Sequence, residues 1–376
     1  MEGMADVTPD LPIDHETLRE AAHDALDEDA YDYVAGGAGG EDAVDHNRAA
    51  FEQWRLHPRL PRDVGERDLS VDRFGSEVPA PVCLAPVGVQ SILHADGELA
   101  SARAAADLGL PYTVSSAASA TLEDVAAALE GTPAWFQLYW PADRAIAESF
   151  VDRAEGAGYE ALVVTVDTPM LAWRERDLES AYLPFLDGEG IANYLADPAF
   201  RERLDAPPED NELAAIREFV EVFGNPTLTV EDVGWLCDRT DLPVVVKGVL
   251  HAEDAAALVD AGAAGVWVSN HGGRQVDRAV AALDALPAIA AAVGDRTTVL
   301  FDSGIRRGAD VLTAIALGAD AVAVGRPYAY GLAIDGQAGV AEVVKNFRAD
   351  LDLTLGLSGQ TAIDDLDRSV LVESKR

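Results

Sequence analysis

Leu242-Pro-Val-Val-Val-Lys247-Gly248 is followed by His251-Ala-Glu-Asp-Ala-Ala-Ala-Leu-Val259, and then by Ala264-Gly-Val-Trp-Val268-Ser269-Asn-His271-Gly-Gly-Arg274-Gln275. Two apolar runs enclose an alanine-rich segment of helical spacing. His251 supplies a start signal for that helix and Gly262 a stop. Fully apolar strands joined through a helix make a parallel pair buried on both faces. Each strand closes on a polar residue, Lys247 in one case and Ser269 with His271 in the other.

The alternation extends in both directions. Apolar runs stand at 80–86, 111–116, 134–140, 161–167, 242–248, 265–270, 298–303 and 321–326. Helical patterns lie between them at Gly97–Leu108, Leu122–Leu129, Ala142–Ala157, Ala252–Val259, Leu286–Val293 and Ala309–Leu317. Thr121 caps one of them, and Gly131, Gly158 and Gly318 close others. Eight such units predict an α/β fold, a (β/α)8 TIM barrel, with a doubly wound sheet as the alternative. Residues 1–78 carry two short helical patterns, Glu16–Leu26 and Asp29–Ala35, and an Arg/Pro-rich link, 55–62. They are expected to form an N-terminal helical cap on a barrel spanning 79–376. Residues 178–229 are too long for one helix and a loop, so a lid inserted after strand four is expected.

Barrel active sites form at the C-terminal strand ends. Here those ends read Pro86-Val87-Gly88, Ser115-Ser116, Gln137 with Tyr139, Thr165-Val166-Asp167, Lys247-Gly248, Ser269 with His271, Asp302-Ser303-Gly304 and Gly325-Arg326. Arg174 and Arg176 lie just beyond strand four, and Arg306 beyond strand seven. His271 can accept a proton near neutral pH, and Arg274 can clamp an anion through paired hydrogen bonds. Lysine occurs only at 247, 345 and 375, so Lys247 points to a need for a compact ammonium. The glycine-rich ends of strands seven and eight predict a phosphate site to which Arg326 adds charge-assisted bonds.

Acidic residues number 66 against 28 basic ones, for a net charge of −38. With 49% hydrophobic residues, this is a folded chain with an acidic surface, not a disordered acidic one. It resembles proteins of salt-loving organisms, in which salt screens the repulsion. Nucleic acid and anionic membranes are excluded as expected partners. Cys83 and Cys237 read as core residues, and no metal site is expected. Met1–Asp6 lacks an apolar targeting core and no run reaches a membrane span, so a cytoplasmic protein is expected.

Tyr31-Asp-Tyr33, Gln137-Leu-Tyr139, Thr165-Val-Asp-Thr168, Lys247-Gly248, Ser269-Asn-His-Gly-Gly-Arg-Gln275 and Gly325-Arg-Pro327 together resemble the FMN-dependent 2-hydroxy-acid oxidase family. The likeness runs from about Tyr31 to the C-terminus. Met170-Leu-Ala-Trp-Arg-Glu-Arg-Asp-Leu178, Tyr182-Leu-Pro-Phe-Leu186 and Phe301-Asp-Ser-Gly-Ile-Arg306 look most like its lactate 2-monooxygenase branch. The resemblance implies FMN as cofactor, and oxidation of a small (S)-2-hydroxy acid such as L-lactate. Molecular oxygen would be the acceptor, with coupled decarboxylation in the monooxygenase branch. It implies a homotetramer or larger homo-oligomer.

The same resemblance implies the roles of individual residues. His271 would be the catalytic base, oriented by Asp167. Arg174 and Arg274 would hold the substrate carboxylate, with Tyr33 and Tyr139 donating to the substrate. Lys247 would face the electron-rich edge of the flavin. Gln137, Thr165, Ser115, Ser269 and the backbone of Pro86, Val87 and Gly88 would hold the ring. Arg306, with the backbone of Asp302, Ser303, Gly304, Gly325 and Arg326, would bind the ribityl phosphate. Gly88 replaces an alanine common in the family and is expected to leave more room against the reactive flavin face. Ala117 replaces a bulky aromatic of glycolate oxidase and is expected to widen the pocket.

Rivals are another FMN barrel such as a type 2 isopentenyl diphosphate isomerase, a quinone-linked lactate dehydrogenase and a non-catalytic phosphate-binding barrel. The first lacks the two-arginine clamp. The second needs a membrane-seeking insertion, whereas 178–229 is acidic. The third has no use for His271, Asp167 and Lys247 together.

Overall fold

The structure is a computed structural model, and it describes residues 9–374. The Met1–Asp6 stretch lies outside the described residues. Eight parallel strands close into a barrel in sequence order. They are β1 (Val82–Leu84), β2 (Tyr112–Ser115), β3 (Ala134–Tyr139), β4 (Ala161–Thr165), β5 (Val244–Val249), β6 (Gly265–Val268), β7 (Thr298–Phe301) and β8 (Ala321–Val324). Seven of these eight fall inside an apolar run read from the sequence, and β5 passes the end of its run by one residue, Val249. β1 is shorter than its run because Pro81 and Pro86 flank it and cannot donate ladder hydrogen bonds. The Thr121 hydroxyl accepts from Asp124 N, and the His251 ring accepts from Glu253 N, so both start signals act as caps.

The barrel interior is closed by size matching. Trp135 and Trp267 meet edge to face at 6.4 Å among the small residues Cys83, Ala85, Ala161, Ala321 and Ala323. Below them a hairpin, Val71–Arg73 with Ser76–Val78, sets Phe74 edge-on to Trp135 at 5.3 Å. A larger apolar layer packs the strands against the outer helices.

Three helices precede the barrel: α1 (His15–Ala25), α2 (Glu28–Ala35) and α3 (Asp42–Phe51). The sequence reading omits α3. Its inward face is Ala43, Asn47, Ala50 and Phe51, so a buried asparagine interrupts the apolar stripe. The Asn47 side chain exchanges 2.8 Å hydrogen bonds with Asn270, which precedes His271 on the loop after β6.

The segment after β4 is built differently from a hinged flap. Phe185, Ile191, Tyr194 and Phe200 are buried, with Tyr194 stacked edge-on to Phe150, Phe200 and Phe219. Burying each such ring stabilises by about 1.5–3 kcal/mol, so residues 185–200 form a fixed wall. Exposed apolar side chains lie nearer the strand, at Met170, Leu171, Trp173 and Leu178, and further along at Leu186, Leu213 and Val220. Trp173 is 70% exposed.

The charge imbalance has a measurable consequence. Many arginines are already paired, as in Arg67–Asp352 at 2.6 Å and Arg203 between Asp143 and Glu218 at 2.5 Å. The surplus carboxylates repel one another at low salt. The melting temperature is expected to rise by more than about 5 °C from low to molar salt, a gain of roughly 4 kcal/mol for a chain of this length. A flat or falling curve contradicts this.

Candidate active site

Most of the polar strand ends converge on one cleft at the C-terminal mouth of the barrel. His271 sits in it, on the loop after β6. Its backbone φ is +59°, a left-handed conformation rare for a non-glycine residue. The Ser269 hydroxyl holds it there by accepting from His271 N at 3.0 Å.

His271 Nδ1 lies 2.9 Å from Asp167 Oδ1. Thr168 Oγ1 donates to the same oxygen at 3.0 Å, while Asp167 Oδ2 has no partner among the described residues. A bulge in β5 leaves Gly248 unpaired at φ +102°. A Cβ there would stand 2.5 Å from Asp167 Cγ, so only glycine admits the carboxylate. Burial pushes the His271 pKa down, helped by Lys247 and Arg174, and outweighs the upward pull of Asp167. Burial alone would raise Asp167, but His271, Lys247 and two hydrogen bonds hold it below the usual carboxylate range. Burial decides in favour of a neutral imidazole beside an ionised carboxylate. With Nδ1 turned to Asp167, Nε2 faces the cleft, 3.4 Å from the Tyr139 hydroxyl. Burial drives the Tyr139 phenol pKa well above normal, so it stays a donor.

Both predicted clamp arginines border the cleft. Arg174 is buried, and its guanidinium reaches the Arg274 carbonyl and Gln275 Oε1, each at 3.3 Å. Arg274 donates to the Gly36 carbonyl at 2.8 Å and lies over the Tyr33 ring at 5.2 Å. Burial, Arg174 and Arg326 push its pKa down to about 9. Arginine stays charged at that value, and Asp177, 3.7 Å from Arg174, offsets only part of the two charges, so the pair remains suited to an anion.

Ser115, Gln137 and Thr165 do not line the cleft. They form a buried ladder beneath it, with Ser115 Oγ donating to Gln137 Oε1 and Gln137 Nε2 donating to Thr165 Oγ1, both at 2.9 Å. Ser269 is likewise buried and donates to Asp302 Oδ1 at 2.6 Å. Lys247 is almost wholly buried, yet it borders the cleft. Its ammonium donates to Ser269 Oγ at 3.1 Å and stands 3.5 Å from Asp302 Oδ2. A lysine snorkelling to solvent is therefore not what the structure contains.

At the far end the cleft is bordered by Ser303, Gly304, Arg306, Gly325 and Arg326. Burial and Arg326 push Arg306 down to about 10, and its guanidinium bonds Ile305 O at 2.8 Å. His15 of α1 is pushed down to about 2 by burial and by Arg306, Arg48, Arg19 and Arg326. This buried positive charge fits a phosphate dianion. The Arg326 side chain is placed otherwise than predicted. Its guanidinium donates to the carbonyls of Val34, Gly36 and Gly272 at 3.1, 2.6 and 2.9 Å. It joins the N-terminal cap to the catalytic loop, which leaves its backbone for an anion.

Pro86, Val87 and Gly88 border the cleft as expected, but the missing Cβ of Gly88 does not widen it. A Cβ at Gly88 would meet the Ala117 carbonyl oxygen at 2.6 Å and Ala117 Cβ at 3.2 Å. Glycine there serves close backbone packing. Thr168, Gln275, Asn47 and Arg48 carry no assignment in the sequence reading, though Thr168 and Gln275 lie within the quoted motifs.

Comparison with known proteins agrees with this geometry. Residues 22–373 match the model of the FMN-dependent dehydrogenase family. An L-lactate oxidase of Lysinibacillus sphaericus is 43% identical over 97% of this chain and 94% of its own. The human 2-hydroxyacid oxidase 1 is 38% identical over 93% of this chain and 94% of its own. A crystal structure of mandelate oxidase with (S)-4-hydroxymandelic acid superposes with a TM-score of 0.86 at 39% identity, covering 97% of this chain and all of that one. With a barrel of this order, a cleft of this composition and relatives of this coverage, the chain belongs to the FMN-dependent dehydrogenase family and is an FMN-dependent 2-hydroxy-acid oxidoreductase.

Proposed function

We propose that the protein oxidises a small (S)-2-hydroxy acid, with L-lactate as the test substrate, to the 2-keto acid, and that oxygen is the acceptor. One observation carries this reading: a neutral imidazole, oriented by a buried carboxylate, shares its cleft with two neighbouring guanidinium groups, those of Arg174 and Arg274. Arg174 and Arg274 bind the carboxylate, and Tyr33 and Tyr139 orient it. That places the substrate hydroxyl and α-carbon against His271 Nε2, which takes up one proton. Asp167 stabilises the imidazolium that results. FMN, when bound, supplies the two-electron acceptor that no side chain can provide. Arg306, with the backbone of Asp302, Ser303, Gly304, Gly325 and Arg326, holds its phosphate. Lys247 neutralises the electron-rich ring edge, the Pro86–Gly88 backbone holds the ring, and the Ser115–Gln137–Thr165 ladder supports the floor beneath it. Two L-lactate oxidase relatives support release of the keto acid with hydrogen peroxide.

The second reading is retention of the keto acid and its decarboxylation, giving acetate, carbon dioxide and water from lactate and oxygen. The stretch Met170–Leu178 and its likeness to the monooxygenase branch support it; Gly88 does not, because its missing Cβ faces Ala117. A cytoplasmic homotetramer or larger homo-oligomer completes the proposal, and light scattering tests the assembly. Product analysis of L-lactate turnover in air is the deciding experiment. Equal pyruvate and peroxide are expected, acetate establishes the second reading, and failure of every 2-hydroxy acid to bleach the flavin anaerobically overturns both.

The titration of His271 adds a prediction. A protonated imidazole cannot accept a proton, so kcat/KM falls as pH drops through the His271 pKa. Burial has moved that pKa below the ordinary 6.5, so the acid limb is expected below pH 6.5. A limb at higher pH, absent from His271→Gln, contradicts the assignment.

A further inference from the structure

Val89 follows the stretch Pro86–Gly88 that borders the cleft, and it is a β-branched residue at φ +57°. Such a conformation is strained, and persists only where its surroundings over-determine it. The restraint comes from a buried polar knot behind the loop. Gln90 donates from Nε2 to the Val87 carbonyl at 2.8 Å and to Tyr112 and Tyr328 hydroxyls at 2.8 and 3.2 Å. Tyr328 in turn donates to the Ala85 carbonyl at 2.9 Å.

Glu98 lies at the centre of this knot, on the helix Gly97–Leu108, and is 1% exposed. Its Oε1 accepts from Gln90 N at 3.0 Å and from Ser119 N at 3.1 Å. Those two amides belong to the loops after β1 and β2. Glu98 Oε2 has no partner among the described residues. A carboxyl group buried with one orphaned oxygen is costly, and a hydrophobic residue of similar volume would avoid the cost. The insertion reaches the same point, since Ser91 Oγ bonds both Ser119 Oγ, at 2.7 Å, and Glu189.

We propose that Glu98 is a positioning residue that pins the loops after β1 and β2 together through Gln90 N and Ser119 N, and so holds the Pro86–Val89 backbone against the FMN ring. The inference rests on the ring placement proposed above, and on no choice of substrate.

The test is release of FMN from the diluted holoenzyme, followed by the fluorescence of free FMN, alongside melting temperature and the visible circular dichroism of the bound flavin. Glu98→Gln retains an acceptor oxygen for both amides and is expected to keep the FMN Kd within about threefold of wild type. Glu98→Asp withdraws the carboxylate by one methylene, and Glu98→Ala removes it. Each is expected to raise the FMN Kd at least about tenfold and to alter the flavin dichroism. The loss should be rescued in Glu98→Gln. Should Glu98→Ala fail to fold, Glu98→Asp decides. A folded Asp or Ala variant with wild-type FMN affinity and dichroism overturns the proposal. So does a folded Gln variant as impaired as the Asp variant. FMN release needs no substrate, so failure of the 2-hydroxy-acid reading leaves this result standing.

Discussion

His271→Gln is expected to keep FMN bound while slowing anaerobic flavin reduction by L-lactate at least about a hundredfold, the usual scale for loss of a general base. The imidazole fills the space between Asp167 Oδ1, at 2.9 Å, and the Tyr139 hydroxyl, at 3.4 Å. Glutamine can span much of that space and still donate to Asp167, so the cleft should keep its shape. What it cannot do is accept a proton near neutral pH. The effect should therefore appear in the reduction rate and not in FMN affinity. Stopped-flow reduction close to wild type, in a variant that binds FMN normally, would remove His271 from the role of base.

Arg174→Lys is expected to raise the substrate constant for L-lactate by roughly 10- to 100-fold, the loss of about 1.5–3 kcal/mol of charge-assisted bonding. Arg174 is held by Gln275 Oε1 and the Arg274 carbonyl on one side, with Asp177 at 3.7 Å. A planar fork can keep these partners and still face a carboxylate, whereas a single ammonium must choose. The change should fall mainly on KM, or on the Kd of an unreactive dicarboxylate such as oxalate. Unchanged binding of both compounds would assign the clamp to Arg274 alone.

The barrel was legible because buried parallel strands need no polar face. Runs such as Val244–Val246 and Val266–Val268 stand out in the chain as strands, and a polar residue after each marks the active end. The same pattern singled out His271, Asp167, Lys247, Arg174 and Arg274, and the structure gathers them at one end of the barrel. The α3 helix was not, because Asn47 sits on its inward face for the sake of a partner 223 residues away. Gln275 and Glu98 show the same limit, since one serves Arg174 and the other joins two loops. The insertion was legible in length but not in behaviour. Its aromatic residues look like any solvent-shielding cluster until Phe150 and Tyr139, from the barrel itself, are seen to complete it. The side chain of Arg326 was misjudged because charge says nothing about which acceptor lies nearest.

The carbonyl of Gly36 accepts hydrogen bonds from Arg274 and Arg326, which follow it by 238 and 290 positions. During synthesis the acceptor emerges long before either donor. At about 5–20 residues per second the wait for Arg326 is roughly 15–60 s. Over that interval the ribosome carries a chain whose first helices have no barrel mouth to cover. A nascent polypeptide ending at residue 320 contains His271, Asp167, Arg174 and Arg274, yet it lacks β8 and this final stitch. Competence for chemistry is thus a property of the finished chain, acquired in one late step, and shorter translation products should hold neither cofactor nor substrate.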